Sequence, residues 1–350
     1  MQWMLYGATG YTGQLVIEEA LKRGHRPLLA GRNPDKLEVL KQRYGLEYLA
    51  FRLDDVSTIG EAIGDMDVVY HAAGPFIHTS DPMIKACLAT STHYLDITGE
   101  IQVFENTFSY HQAARANSIG LISGVGFDVV PSDCLAAYVA NKVRGATSLD
   151  IAIVGLDNMS AGTAKSFIEG ARVGGRVRRD GKLVKQAVGK LHQEISFEKM
   201  IFDTMSVPWG DVSTAYRTTG IPNITTYMEF PAAVRATARF TTPVLGLLTR
   251  SGVIRKALTG LADRFVLGPD DHALENDKAY IWAKATNASG QSAEAWLEVN
   301  EAYKFTAQAG VLAVEKMMAL QPIGATTPAL AFGEDFVLEI EGSSRHDIHP

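Results

Sequence analysis

A doubly wound α/β fold, in which a parallel sheet is covered by helices on both faces and a second α+β domain is inserted after it, is what this chain of 350 residues predicts. Three observations carry the prediction. Apolar runs alternate with helix-patterned stretches, through short connections, up to about residue 126. The runs are almost continuously apolar, as strands covered on both faces must be. Beyond about residue 135 the pattern changes to alternating strands joined by hairpin turns.

The elements follow in order. Trp3 to Tyr6 is an apolar run, and Leu15, Val16, Ile17, Ala20 and Leu21 recur with helical spacing, so LYGATGYTGQL (5–15) reads as strand, turn and helix. Gly7, Gly10 and Gly13 stand three residues apart in that turn, among Thr9, Tyr11 and Thr12. Glycine accepts positive φ and close approach, while a helix start presents unpaired N–H groups to an anion. The turn suits a pyrophosphate. Gly24 is set to end the first helix, and RPLLAG (26–31) is the second strand. Asn33 and Pro34 are a cap and a first-turn residue for a helix that runs to Tyr44. Then come EYLAFRL (47–53), a helix near 57–63, MDVVYHAAG (66–74), the helix PMIKACLAT (82–90), HYLDI (93–97), a helix near 101–117 and GLISGVG (120–126).

The second domain begins with TSLDIAIVGL (147–156). Two hairpins follow: GGRVRRDGKLVK (174–185), turning at Asp180-Gly181, and AYIWAKATNASGQSAEAWLEVN (279–300), turning at Asn287 to Gly290. The expected division is 1–134 for the nucleotide, 135–300 for substrate and any homodimer contact, and 301–350 as a segment returning to the first domain. Within that last segment Ala302–Leu320 is helical and the final RHDIHP is loose. Phe240 to Leu261, FTTPVLGLLTRSGVIRKALTGL, reads as a pair of core helices, or as a lid or surface-seeking segment.

Composition narrows the function. Hydrophobic residues make up 46% of the chain, and 39 acids against 33 bases leave a net charge of −6. Nucleic acid and an anionic membrane are therefore not expected as principal partners, although a local basic patch is compatible with the total. Two cysteines, Cys87 and Cys134, without metal-type spacing argue against a disulfide framework or a structural metal. The start has no basic leader, and no run of eighteen apolar residues occurs, so a cytoplasmic protein with no transmembrane segment is expected.

The strand ends specify a cofactor. In dinucleotide-binding folds an acid after the second strand binds the free ribose hydroxyls of NAD. Here Arg32 and Asn33 occupy that place, and a guanidinium matches the 2′-phosphate of NADP instead. Asp54, after the third strand, can meet the adenine edge or merely cap a helix. Ala73, Gly74, Pro75 and Phe76 end the fourth strand with small residues that let a cofactor lie close to the backbone. At the fifth strand, HYLDITGE puts Tyr94, Asp96 and Thr98 on one face and His93, Leu95 and Ile97 on the other. Tyr94 and Asp96 are the catalytic candidates, with a structural role for Asp96 in the following turn as the alternative. Phe127 and Asp128 are cleft candidates, Ser132 or Asp133 can cap the next helix, and His78 is better placed than His71 to reach a ligand. Tyr138 and Lys142, in YVANK, fit the Tyr-x-x-x-Lys spacing of short-chain dehydrogenases, with Ser123 as a partner. Cys87 reads as a small buried helix residue, whereas Cys134 lies nearer the proposed cleft but has no base at fixed spacing, so thiol catalysis is not expected.

Taken together, GATGYTG (7–13), AGRNPDKL (30–37), AGPF (73–76), ACL (86–88) with THYLDITGE (92–100), and GFDVVPSD (126–133) resemble the saccharopine dehydrogenase-like NADP-binding family, which includes saccharopine reductases and trans-acting enoyl reductases. GATTPALAFG (324–333) is similar to that family's C-terminal segment. The resemblance implies a Rossmann domain with an inserted α+β domain and hydride transfer to or from a C=O, C=N or activated C=C bond. It leaves the small-molecule substrate open. Saccharopine reductases need several carboxylate-binding groups, and only Arg172, Arg176, Arg178 and Arg179 form a cluster, which also reads as a solvated hairpin. Phe230, Pro231, Phe240, Pro243, Val244, Leu245, Leu247 and Leu248 favour an apolar substrate. The rival from another class is an NADP-binding sensor or assembly protein without chemistry.

Overall fold

The computed structural model describes residues 2–156, 168, 174–197, 200–249, 251–265 and 269–348. The chain divides into two compact units, Met1–Val130 with Tyr303–Phe336, and Pro131–Ala302 with Val337–Pro350. Labels below run in chain order through both.

In the first unit, β1 (Trp3–Tyr6), β2 (Leu28–Gly31), β3 (Tyr48–Ala50), β4 (Val68–His71), β5 (His93–Asp96), β6 (Gly120–Ile122) and β15 (Gly324–Thr326) form one sheet. Its order is β15-β6-β5-β4-β1-β2-β3, and every pairing is parallel. The doubly wound sheet of the sequence reading is therefore present. The direction of winding reverses at β1, so the crevice outside the carboxyl ends of β1 and β4 is where such sheets bind ligands. The intervening helices are α1 (Tyr11–Lys22), α2 (Pro34–Tyr44), α3 (Val56–Ile63), α4 (Phe76–Thr90), α5 (Ile101–Ser109) and α6 (His111–Ala116).

Two helices differ from their sequence pattern. The stretch near 101–117 is broken at Tyr110, whose hydroxyl donates to Asp81 at 2.8 Å. The helix expected from Pro82 starts six residues earlier, at Phe76, because the Glu100 carboxylate satisfies its first N–H groups. The returning helix α12 (Ala302–Leu320) packs on this sheet through Gly310, where a Cβ would collide with the Tyr70 ring. Glu315 also bonds Arg23 and His25, each at 2.8 Å.

The second unit holds a nine-stranded mixed sheet. β7 (Ala146–Val154) is central, with β12 (Asn223–Glu229) parallel to it and β13 (Lys278–Asn287) antiparallel on its other side. β10 (His192–Phe197) and β11 (Met200–Ser206) extend one edge, and β14 (Ser292–Asn300) and β16 (Ser344–Ile348) the other. β8 (Arg176–Arg179) and β9 (Lys182–Lys185) form a hairpin joined to β12. Phe197 on β10 lies 5.5 Å from Trp296 on β14 by ring centroids, although four strands separate theirs. The sheet is rolled around an aromatic core of Phe197, Tyr227, Trp282 and Trp296.

The C-terminal stretch expected to be loose is instead the edge strand β16. His346 stacks on Trp296 at 4.1 Å, and Asp347 receives Lys142, so side-chain contacts hold the tail in register. The segment expected as a core helix pair forms two helices, α9 (Ala232–Leu248) and α10 (Gly252–Phe265), but Val244, Leu247, Leu248 and Val253 are exposed. No helix among the described residues is long and apolar enough to cross a membrane.

Candidate functional site

The glycine turn after β1 assigns three different jobs to three glycines. Gly7 has φ +99°, and a Cβ there would lie 2.7 Å from the carbonyl carbon of Ala72, so glycine alone lets the turn settle against the end of β4. A Cβ on Gly13 would strike the Gly7 carbonyl oxygen and lie 2.9 Å from Ala8 Cα. Its absence lets α1 rest on the turn. Gly10 is exposed, and a Cβ there would meet only the Gly7 oxygen at 3.3 Å. It is the residue at the N-terminus of α1 and supplies no side-chain cap. The protein's own packing demands Gly7 and Gly13, whereas Gly10 leaves a helix start accessible to an anion. Thr9, Tyr11 and Thr12 are partly exposed around it, and the Tyr11 ring meets Tyr303 edge-on at 5.2 Å.

Gly31 pairs with Ala50, so Arg32 and Arg52 leave the sheet from neighbouring strands. Arg32 is exposed and, among the described residues, makes no hydrogen bond or ion pair. Asn33 is committed to its cap, accepting from the Lys36 N–H at 3.1 Å. Asp54 pairs with Arg52 at 2.7 Å on the surface, and Asp55 rather than Asp54 caps α3. Tyr6 sits beneath these charges: burial, opposed by Arg32, pushes its hydroxyl up to about 12. Arg52 was not singled out in the sequence, although FRLDD placed a base directly after the third strand.

After β4, Gly74 is exposed, Ala73 and Pro75 are partly so, and Phe76 is buried with its ring 5.4 Å from that of His71. The Phe76 and Ile77 N–H groups each donate to the Glu100 carboxylate at 2.9 Å. His71 is fully buried, its Nδ1 is 3.1 Å from the Tyr94 hydroxyl, and burial pushes it down to about 3, so it is neutral. His78 is exposed on α4.

Tyr94 and Asp96 are brought together, but inside the sheet and with no exposed surface. The Tyr94 hydroxyl donates to Asp96 at 2.8 Å and the Ser123 hydroxyl at 2.9 Å, and the Thr98 and Gly124 N–H groups each donate at 3.0 Å. Burial raises the carboxyl to about 6 while these four bonds pull it down. Sequence spacing offered Tyr94 and Asp96 as cleft residues, and both side chains have no exposed surface. The face they share looks into the core, so their geometry is that of a pair fixing the two turns beyond β5 and β6.

Asp128 stands beside those turns. It is partly exposed, makes no hydrogen bond or ion pair among the described residues, and packs so closely on the next turn that a Cβ on Gly99 would lie 2.8 Å from Oδ2. Surrounding protein, with no charged neighbour, pushes its carboxyl up to about 7. The following residue, Val129, has φ +125°, which a β-branched side chain seldom adopts. The acid and its strand end were legible in GFDVVPSD, but its lack of partners was not.

In the second unit the Tyr138 hydroxyl donates to both Asp347 oxygens at 3.1 Å, and Lys142 bonds the same carboxylate at 2.6 Å. The pair that fits the short-chain spacing thus serves to hold β16. Arg178 is buried, donating to the carbonyls of Val212 and Gly181 at 2.6 and 2.7 Å, and Arg179 donates to Thr225 at 2.9 Å. Arg176 reaches the Gly175 carbonyl, and Arg172 lies outside the described residues. Ser132 and Asp133 fall inside α7 (Val130–Asn141), where Asp133 accepts from Thr218 at 2.5 Å. Cys87 and Cys134 are buried, and neither forms a disulfide.

Residues 7–128 match a family of NAD(P)H-binding domains. The chain is 29% identical over 162 residues to a saccharopine dehydrogenase-like oxidoreductase of Bos taurus, a match covering 41% of this chain and 38% of that one. It is 35% identical over 138 residues to a trans-acting enoyl reductase of Mycobacterium leprae (strain TN), covering 37% and 33%. The matches thus span less than two fifths of either relative. Among solved structures, the saccharopine dehydrogenase (L-Glu forming) of Saccharomyces cerevisiae superposes with a TM-score of 0.66 at 10% identity, over 99% of this chain and 100% of that one, a likeness of fold. The resemblance carried by the motifs is present in these proteins.

Proposed function

We propose that the chain is an NADP-dependent oxidoreductase of the saccharopine dehydrogenase-like type, transferring a hydride to or from a C=O, C=N or activated C=C bond of a small molecule. The observation that carries this reading is the unpartnered carboxyl group of Asp128 on the same sheet edge as the accessible start of α1. The residues proposed to hold the cofactor are Gly7, Thr9, Gly10, Tyr11, Thr12 and Gly13 at the pyrophosphate and Arg32 at the 2′-phosphate. Asn33, Asp54 and Arg52 flank the adenosine end, and Ala73, Gly74, Pro75 and Phe76 line the close approach at β4. When bound, the cofactor supplies the hydride.

A carbonyl, imine or enone gains negative charge as it is reduced and needs a proton. A carboxyl group near pKa 7 holds one part of the time at neutral pH and can take another from solvent. Asp128 is proposed to be that donor. Tyr94 and Asp96 act as positioning residues, because Asp96 fixes the N–H of Thr98, next to the Gly99 on which Asp128 rests.

Apolar ketones and enones are the proposed substrates in preference to amino-acid imines. Arg178 and Arg179 are already engaged by backbone carbonyls and Thr225, which supports this preference, since a multiply charged ligand needs free partners. Titrating NADPH and NADH by fluorescence tests the cofactor, and following NADPH oxidation on both substrate sets tests the chemistry. Turnover of saccharopine-type substrates alone would overturn the apolar preference. Tight NADPH binding with no turnover on either set would favour the sensor.

A further inference from the structure

The returning helix α12 joins the first unit at Tyr303, and its first two turns meet two separate parts of the sheet edge. The Tyr303 ring lies edge-on to Tyr11 at 5.2 Å, beside the start of α1. Thr306 stands three residues on, and so on the same side of the helix, where it reaches the turn that carries Asp128. Its hydroxyl oxygen accepts the Phe127 N–H at 3.0 Å, across 179 residues of chain. Phe305 sets its ring at right angles to that of Phe127, 6.1 Å away, and Phe127, Phe305 and Thr306 are all buried.

The turn itself is built to hold one shape. The Val129 N–H donates to the Phe127 carbonyl at 2.9 Å, which closes a γ-turn with Asp128 at its centre, and the Val130 N–H donates to the Gly126 carbonyl at 3.1 Å. Val129 keeps its φ of +125° because Gly124 makes room, a Cβ there colliding with the Val129 side chain. Gly126 makes room for α12 in the same way, since a Cβ there would lie 2.8 Å from Thr306 Cγ2. A strained residue persists only where its surroundings over-determine it, and strain of this kind gathers at functional sites. Without the Thr306 acceptor the Phe127 N–H would be stranded in the core, and the turn would open to pair it with water. We propose that Thr306, with the Phe305 ring beside it, positions the Asp128 carboxyl group by locking the Gly126-Phe127 peptide, so that α12 keeps the proton donor in register with the glycine turn. The inference rests on the reading of Asp128 as proton donor.

The test reads position and chemistry separately. Thr306→Val keeps the shape of the side chain and removes the acceptor, whereas Thr306→Ser keeps the acceptor. In the full chain labelled with carbon-13 at the aspartate carboxyls, the Asp128 signal is the one missing from Asp128→Asn. Its titration midpoint is expected at about 7 in the parent and in Thr306→Ser, and at about 6 or below in Thr306→Val, as the opened turn carries the carboxyl toward water. Turnover is expected to fall about tenfold in Thr306→Val with KM for NADPH unchanged, and to recover most of its value in Thr306→Ser. Phe305→Leu, which removes only the ring contact, is expected to move the midpoint the same way by less, and it carries the test if Thr306→Val does not fold. A midpoint unmoved by the variants overturns the proposal, as does an equal loss of rate in Thr306→Val and Thr306→Ser, the mark of a merely structural contact. A midpoint that moves in a protein that turns over no carbonyl, imine or enone upholds the positioning by Thr306 and removes the oxidoreductase reading instead.

Discussion

The end of β5 and the turn after β6 each hold an aspartate in a crowded protein environment, and the two have opposite surroundings. Asp96 receives two hydroxyls and two backbone N–H groups, whereas Asp128 receives nothing. Burial raises both carboxyls, to about 6 and about 7. What separates them is the supply of donors, and donors decide roles: a carboxylate with every lone pair engaged organises its neighbourhood, while one with none has its proton to exchange. The same distinction runs along the edge, from unpaired Arg32 to Arg52, which is held by Asp54.

The largest effect should come from emptying the satisfied site. Asp96→Ala strands four donors, each costing about 1 to 3 kcal/mol, so urea denaturation should find a loss of about 4 kcal/mol or more. A loss below about 1 kcal/mol would break the comparison. Asp128→Asn should instead fold normally and lose about 100-fold in turnover with NADPH affinity unchanged. In the parent, the reduction rate should fall as pH rises through about 7, where the Asp128 proton is lost, and the variant should lack that limb. Stability has the same sign. A carboxyl raised on folding favours the native state below its unfolded pKa and loses that contribution as pH rises through about 7. Asp128→Asn should therefore be more stable than the parent at about pH 8 but not at about pH 4.

Third in size, Arg32→Ala should weaken NADPH about tenfold or more and leave NADH alone, as expected of a charge-assisted contact of about 1.5 to 3 kcal/mol. Arg52→Ala should change NADPH binding by less than about threefold, because an exposed pair contributes little. Comparable losses from both would show that pairing does not sort these arginines. The smallest effect belongs to Tyr138→Phe. With its hydroxyl held by Asp347, turnover should stay within about twofold, and a collapse in rate would restore the short-chain mechanism.

What the sequence made legible follows physical range. The parallel sheet, the Gly24 turn, the Asn33 cap and the glycine turn depend on neighbours close in the chain, and each is found where spacing puts it. The inward facing of Tyr94 and Asp96 was not legible, because period-two alternation separates the faces of a strand without saying which is covered. In a sheet covered on both sides, neither is open. β16 escaped notice since its register depends on Trp296 and Lys142, far away in sequence. The outward apolar faces of α9 and α10 were unreadable for the same reason: a helical pattern is identical whether its apolar side meets a core or water.

Glu100 adds a vectorial property to the sheet edge. Its two oxygens occupy the Phe76 and Ile77 N–H groups, so the positive end of α4 is already neutralised by a fixed charge, while α1 begins without a side-chain cap. Two helix starts on one edge are thereby made unequal, one attracting anions and the other repelling them. Any elongated ligand with its negative charge concentrated in one part meets a built-in electrical gradient, which selects its direction of approach before specific contacts form.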